Sequence, residues 1–79
     1  MIDPWSTGRH RVLKADIIVA GGGDIGCEVH NGSRAGATLR VSGAAAVPSV
    51  FTLRLDGGPA LSCSVIRRSR IELGVRFLA

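Results

Sequence analysis

Apolar and polar residues alternate along six short segments of this chain, and no other feature constrains its fold as strongly. A period of two is typical of β-strands that bury one face. Turn-forming residues separate the segments, as in Gly21-Gly22-Gly23-Asp24 and Asp56-Gly57-Gly58-Pro59. The side chains predicted to point inward are, segment by segment, Leu13, Ala15, Ile17 and Val19; Ile25, Cys27 and Val29; Ala37, Leu39 and Val41; Phe51, Leu53 and Leu55; Leu61, Cys63 and Val65; and Ile71, Leu73, Val75 and Phe77.

Six such strands predict an all-β fold, a six-stranded antiparallel β-barrel. A small sheet hides its inner face and protects its edges best by closing on itself. The chain has 79 residues and 11 glycines, which indicates one domain with frequent tight turns. Residues 43–49 form a longer connection, in which Ala44 to Ala46 can make a helical turn while Pro48 argues against a stable helix. We therefore expect little or no helix, a flexible basic arm over residues 1–10 and a barrel over residues 11–79.

Charge and cysteine content limit the partner and the compartment. Ten Lys+Arg against six Asp+Glu give a net charge of +4. This favours an anionic partner or, alternatively, a basic surface that keeps a small domain soluble. Two cysteines without a secretory leader predict reduced thiols in the cytoplasm, and no apolar run is long enough to span a membrane. Cys27 and Cys63 are both predicted to point inward. Geometry does not exclude a disulfide between them, but a reducing compartment disfavours it.

Two patterns that look like cofactor motifs are better explained by strands. The segment Gly21-Gly22-Gly23-Asp24-Ile25-Gly26 matches Gly-x-Gly-x-x-Gly, but a strand follows it where a dinucleotide site requires a helix. Cys27 and His30 are three residues apart on a strand, so they point to opposite faces and do not converge on a metal ion. The sequence also contains no evident catalytic triad or carboxylate pair. We expect no metal, no cofactor and no enzymatic activity.

A polar corner between the second and third predicted strands contains the candidate site. It reads Asn31-x-Ser33-x-x-Gly36 and follows, one strand later, a basic run with Arg9, Arg11 and Lys14. Asparagine bonds the local backbone and tolerates left-handed φ, serine offers a hydroxyl to the turn or to a phosphate, and glycine lets a backbone or a ligand approach closely. The basic residues supply cations that can fold over an anion. The alternative is that the corner is only a turn and the arginines a solvated tail.

The corner and its flanking strands resemble the PilZ domain, a small bacterial β-barrel that in many members binds cyclic di-GMP. The resemblance covers roughly residues 9–78. Further stretches that carry it are Arg11-Val12-Leu13-Lys14-Ala15, Pro48-x-x-Phe51-x-Leu53, Cys63-x-Val65-x-Arg67 and Leu73-Gly74-Val75-x-Phe77. It implies a ligand site made by an Arg-x-x-x-Arg motif in the arm together with the corner.

The corner matches this family pattern residue by residue, whereas the arm departs from it. Four residues after Arg9 stands Leu13, and four after Arg11 stands Ala15. Lys14 is the nearest substitute for the missing arginine, with Arg34 or the group Arg67-Arg68-Arg70 as further sources of charge. The predicted ligand-binding residues are therefore Arg9, Arg11, Lys14, Asn31, Ser33, Arg34 and Gly36.

Three functions are compatible with these residues. The resemblance implies a cyclic di-GMP receptor, in which binding orders the arm and changes a surface read by an effector protein. The broken arm motif favours a PilZ-fold domain that has lost this ligand and acts as a protein–protein adaptor. A barrel that binds single-stranded nucleic acid is disfavoured because such sites stack bases on aromatic side chains. Here Phe51 and Phe77 are predicted to point inward, which leaves only Trp5.

Overall fold

Six antiparallel strands close into a barrel, which confirms the all-β prediction. The computed structural model describes residues 12–78, so the predicted arm, with Arg9 and Arg11, lies outside the described residues, as does Ala79. In chain order the strands are β1 (Leu13–Ile18), β2 (Asp24–His30), β3 (Gly36–Arg40), β4 (Val50–Leu55), β5 (Ala60–Arg68) and β6 (Glu72–Phe77).

The strands follow one another around the barrel in the order β1-β2-β3-β6-β5-β4. Four of the six pairings join strands that are consecutive in sequence, as tight turns favour. The other two, β3 with β6 and β1 with β4, join distant segments and close the barrel. As a result, no strand is left as an unpaired edge along its whole length.

The barrel interior is an aliphatic core. Leu39, Leu53 and Leu73 have no exposed surface, and Phe51 is the only aromatic residue that the described chain buries there. Ile71 was predicted to point inward, and this prediction is wrong: its side chain is 56% exposed. The alternation continues through Ile71, but β6 begins one residue later, so this residue belongs to the turn after β5.

A single 3-10 turn, Ala44–Ala46, is the only helical segment among the described residues. It buries Ala44, and the Arg68 guanidinium holds it in place from β5. One guanidinium nitrogen, Nη1, donates to the carbonyl of Ala44 at 2.8 Å and to that of Val47 at 2.6 Å. Arg68 therefore fixes the connection formed by residues 43–49 against β5. Over residues 12–78, no helix has the length and apolar character needed to cross a bilayer.

Charges alternate from strand to strand across one row of the outer surface. The register sets Lys14 opposite Glu28, Glu28 opposite Arg40, and Arg40 opposite Glu72. The last pair is a hydrogen-bonded ion pair, in which Arg40 Nη2 donates to Glu72 Oε2 at 2.9 Å. Opposite charges on facing strands stabilise a pairing by about 0.2–1 kcal/mol each.

A second group of charges on the same side is neutralised by Arg54 of β4. Its Nη2 donates to Asp24 Oδ2 at 2.9 Å and to Asp16 Oδ2 at 3.4 Å. All three side chains are exposed to about the same degree, so each ion pair contributes at most about 1 kcal/mol. Because both carboxylates accept hydrogen bonds from Arg54, the positive charge of this arginine is already neutralised within the barrel.

Candidate functional site

The corner, residues 31–36, turns the chain from β2 into β3, and Asn31 makes the bend. Its φ of 52° lies in the left-handed region, and no other non-glycine residue among 12–78 has a positive φ. This conformation costs asparagine less free energy than most other non-glycine residues, because its short side-chain amide can form hydrogen bonds with the local backbone. The sequence pattern predicted that Asn31 tolerates a left-handed φ, and the structure has this residue in that conformation.

Ser33 holds the corner together through its hydroxyl and its amide. The Ser33 N–H donates to the Gly36 carbonyl at 2.9 Å, and Oγ donates to the same oxygen at 3.2 Å. The hydroxyl oxygen in turn accepts from the N–H groups of Ala35 at 3.2 Å and Gly36 at 3.3 Å. Of the two predicted uses of this hydroxyl, the turn is the one observed here. The residue is nevertheless exposed.

Gly36 allows β3 to approach the backbone of β6. A Cβ at this position would overlap the Val75 carbonyl oxygen and would lie 3.1 Å from the Arg76 Cα. The N–H of Phe77 donates to the Ala35 carbonyl at 2.8 Å, which fixes the corner against the same strand. The close approach predicted from the glycine is therefore an approach of backbone.

The described chain enters the barrel at the end that carries the corner. Leu13, the first residue of β1, is opposite Val29 in register, and Val29 lies two residues before Asn31. Arg34 is part of the corner itself and is exposed. Residues that precede Val12 are therefore attached close to the corner, although Arg9 and Arg11 themselves lie outside the described residues.

Lys14 lies in different surroundings from the other candidate residues. It lines an open depression of about 760 Å³ on the outer surface, together with Asp16, Glu28 and Asp56 and with Arg40, which is paired with Glu72. None of the corner residues lines this depression. The structure therefore joins Ser33 to Gly36 by hydrogen bonds but gives Lys14 mainly acidic neighbours, which oppose the approach of an anion.

Arg76 is an exposed cation beside the corner that the sequence reasoning did not select. It is opposite Gly36 on β6, and Arg67 of β5 is opposite Gly74 two residues earlier. The alternation on β6 predicts that Arg76 points outward. Its position beside Gly36 depends on the pairing of β3 with β6, which periodicity alone does not encode.

The two cysteines are free thiols inside the barrel. Burial raises the pKa of Cys27 from 9.0 to about 11, and the nearby charges of Asp16 and Cys63 act in the same direction. Burial also raises the pKa of Cys63 to about 11. Among residues 12–78, no group of three His, Cys, Asp or Glu side chains is arranged to hold a metal ion.

We expect these thiols to react slowly and to make stability fall in alkaline solution. A pKa of about 11 in place of 9.0 lowers the thiolate fraction at pH 8 about a hundredfold. The unfolded chain ionises first as the pH rises, so unfolding becomes easier from about pH 9 until the folded thiols also ionise near 11. The measurements are the rate of thiol modification at pH 8 and the urea midpoint at pH 8 and 10.5. A Cys63→Ala variant should lose less stability between pH 8 and pH 10.5 than the original chain. Thiol modification of the folded protein that is as fast as modification of the urea-unfolded chain would contradict the expectation.

The arrangement offers binding groups suited to an anion. The exposed Arg34 lies in the corner and the exposed Arg76 lies beside it, and arginine is the side chain best shaped to bind a phosphate or carboxylate through two parallel hydrogen bonds. The N–H groups of Ser33, Ala35 and Gly36 and the Ser33 hydroxyl are already used within the turn. No family model, curated protein or solved structure matches this chain.

Proposed function

We propose that this domain is a non-enzymatic, cytoplasmic receptor of the PilZ type that binds cyclic di-GMP at the corner. The observation that carries the proposal is that Asn31, Ser33 and Gly36 form a folded corner, at the end of the barrel where the chain enters. A preformed corner does not have to be ordered when the ligand binds, which lowers the entropic cost of association. The basic residues of the arm are attached a few residues away from it.

In this proposal the arm supplies the mobile part of the site and the corner the fixed part. Arg9 and Arg11 bind phosphate or a guanine edge, and Arg34 adds charge from the corner itself. Binding orders the arm against the barrel, and an effector protein reads the changed surface. Lys14 contributes less than the sequence pattern predicts, because it shares its surface depression with Asp16, Glu28 and Asp56 and not with the corner.

A second candidate function is a PilZ-fold adaptor that no longer binds the dinucleotide. It is favoured by the Ser33 hydroxyl, which already makes three hydrogen bonds within the turn, to the Gly36 carbonyl and from the N–H groups of Ala35 and Gly36. The arm spacing also lacks the second arginine of the family motif. A bidentate arginine on guanine is worth about 1–3 kcal/mol, so its loss weakens binding roughly 5–150-fold.

A titration of the full chain with cyclic di-GMP, followed by amide NMR shifts at moderate salt, separates the two candidates. The receptor predicts shifts concentrated in residues 8–14 and 31–36. Charge reversal of both Arg9 and Arg11 should abolish these shifts while the melting temperature stays nearly constant. A flat titration well above micromolar ligand would favour the adaptor, and binding that survives the double reversal would show that the site lies elsewhere.

A further inference from the structure

The net charge of the described barrel is concentrated in the β5–β6 hairpin. Residues 12–59 contain four cations and four carboxylates, whereas residues 60–78 contain four arginines and one glutamate. That glutamate, Glu72, is already paired with Arg40. The strands β1 to β4 are therefore neutral as a group, and an anionic partner is attracted to the other side of the barrel.

Of the four arginines in this hairpin, only Arg68 has a partner among residues 12–78. Arg68 is used to clamp the 43–49 connection through backbone carbonyls. Arg67, Arg70 and Arg76 make no hydrogen bond or ion pair with any other described residue. In contrast, Arg40 and Arg54 on the neighbouring strands are both matched by carboxylates.

The Arg67 side chain lies in the space left by the missing side chain of Gly74, which is opposite it in register. A Cβ on Gly74 would lie 3.0 Å from Arg67 Nε, 3.1 Å from its Cβ and 3.2 Å from its Nη2. The arginine side chain therefore crosses β6 through the space that a larger residue would fill. It borders a depression of about 300 Å³ that Thr38, Arg68, Ser69 and Glu72 also line, and the Glu72 carboxylate there is paired with Arg40.

Small hydroxyl side chains lie next to Arg67 and Arg76 on the outer surface of the barrel. Cross-strand register places Arg76 between Gly36 and Ser64, and Ser64 next to Val50. We call this surface the arginine face; it consists of Thr38, Val50, Thr52, Ser62, Ser64, Arg67, Gly74 and Arg76. Val50 is 62% exposed and adds an apolar contact at the β4 side.

We infer that the arginine face binds an acidic, extended segment of a partner protein. Arg67 and Arg76 lie diagonally on adjacent strands, since Arg67 is opposite Gly74 and Arg76 follows Gly74 by two residues on the same face, so their positive charges repel each other. A carboxylate bound between them removes that repulsion and fills the vacant hydrogen-bond donors. The small hydroxyl residues let a peptide backbone lie close to the sheet, and they supply further donors and acceptors.

A protein segment fits this face better than single-stranded nucleic acid. Nucleic-acid sites of that kind stack bases on exposed aromatic side chains. Among residues 12–78 the aromatic side chains are Phe51, which is buried, and Phe77, which packs against the core. Exposed arginine on the same surface as an exposed aliphatic residue, here Arg76 and Val50 on either side of Ser64, is instead typical of protein interfaces. The inference does not require that the corner bind a dinucleotide.

The test uses the full chain and a fluorescently labelled hexapeptide of alternating glutamate and valine, with binding followed by anisotropy. Arg67→Gln and Arg76→Gln should each weaken binding about fivefold, as expected for an exposed charge-assisted contact. Arg54→Gln removes the same charge from the neutral side and should change affinity less than twofold. Gly74→Ala keeps the charge but displaces Arg67, and it should weaken binding about threefold.

Several results would overturn the inference. One is that Arg54→Gln weakens peptide binding as much as Arg67→Gln does, and another is that a peptide with glutamine in place of glutamate binds with the same affinity. A third is that a charge-matched oligothymidylate, or phosphatidylserine vesicles, bind more tightly than the peptide through Arg67 and Arg76. Displacement of the peptide by cyclic di-GMP, in a manner that depends on Arg67, would assign the face to the dinucleotide. Failure of dinucleotide binding at the corner would leave the peptide measurements unchanged.

Discussion

Replacement of Gly36 by alanine is expected to destabilise the barrel by about 2–3 kcal/mol. The new Cβ would overlap the Val75 carbonyl oxygen, which belongs to the backbone of β6 and cannot rotate away. Relief therefore requires that β3 and β6 separate at the corner, and overpacking of this kind typically costs about 1–3 kcal/mol. Because β3–β6 is one of the two pairings that close the barrel, the loss should appear in global unfolding by urea.

Gly23→Ala is the matched control for this experiment. A Cβ on Gly23 meets no atom within 4 Å, and its φ is not in the left-handed region. Its free energy of unfolding should therefore stay within about 0.5 kcal/mol of the original, as for most exposed substitutions. If Gly36→Ala is instead as stable as Gly23→Ala but no longer binds cyclic di-GMP, the glycine serves the ligand and not the pairing of strands.

Replacement of Leu53 by alanine should cost still more, about 2–5 kcal/mol. Leu53 is completely buried on β4, opposite Ile17 of β1 and Leu61 of β5. A domain of this size has a total stability of about 4–12 kcal/mol, so a large part of it is lost. Each kcal/mol lowers the melting temperature by about 4–8 °C in a domain of this size, which predicts a drop of at least about 8 °C in thermal denaturation.

Val50→Ala tests whether this effect comes from burial and not from β-propensity. Val50 lies on the same strand, but its side chain is exposed. Truncation of this branched aliphatic side chain to alanine should therefore shift the melting temperature by only a few degrees. Equal shifts for the two variants would contradict the assignment of Leu53 to the barrel interior.

The alternation of residues was sufficient to predict all six strands because each one buries a single face. β4 shows this most clearly, since Phe51, Leu53 and Leu55 are all buried and the residues between them are not. Ile71 was misassigned because a period of two does not mark where a strand begins. The turn geometry of Ser69, whose N–H and Oγ both donate to the Glu72 carbonyl, sets that boundary.

The candidate site was predictable where it depends on local chemistry and unpredictable where it depends on strand pairing. The left-handed φ of Asn31 and the close approach at Gly36 follow from residue type. Two of the acidic residues that share a depression with Lys14, Glu28 and Asp56, and the carbonyl contacts of Arg68 come from segments distant in sequence. Arg76 lies beside the corner only because β6 pairs with β3.

The alternating charges on β1 and β2 also discriminate against misaligned strands during folding. A slip of two residues keeps every apolar side chain on the inner face, so burial alone does not reject it. In the native register Asp16 is opposite Gly26. A slip in one direction sets Asp16 opposite Glu28, and a slip in the other sets it opposite Asp24. Either error places two carboxylates face to face, so one aspartate penalises both wrong alignments of the first hairpin.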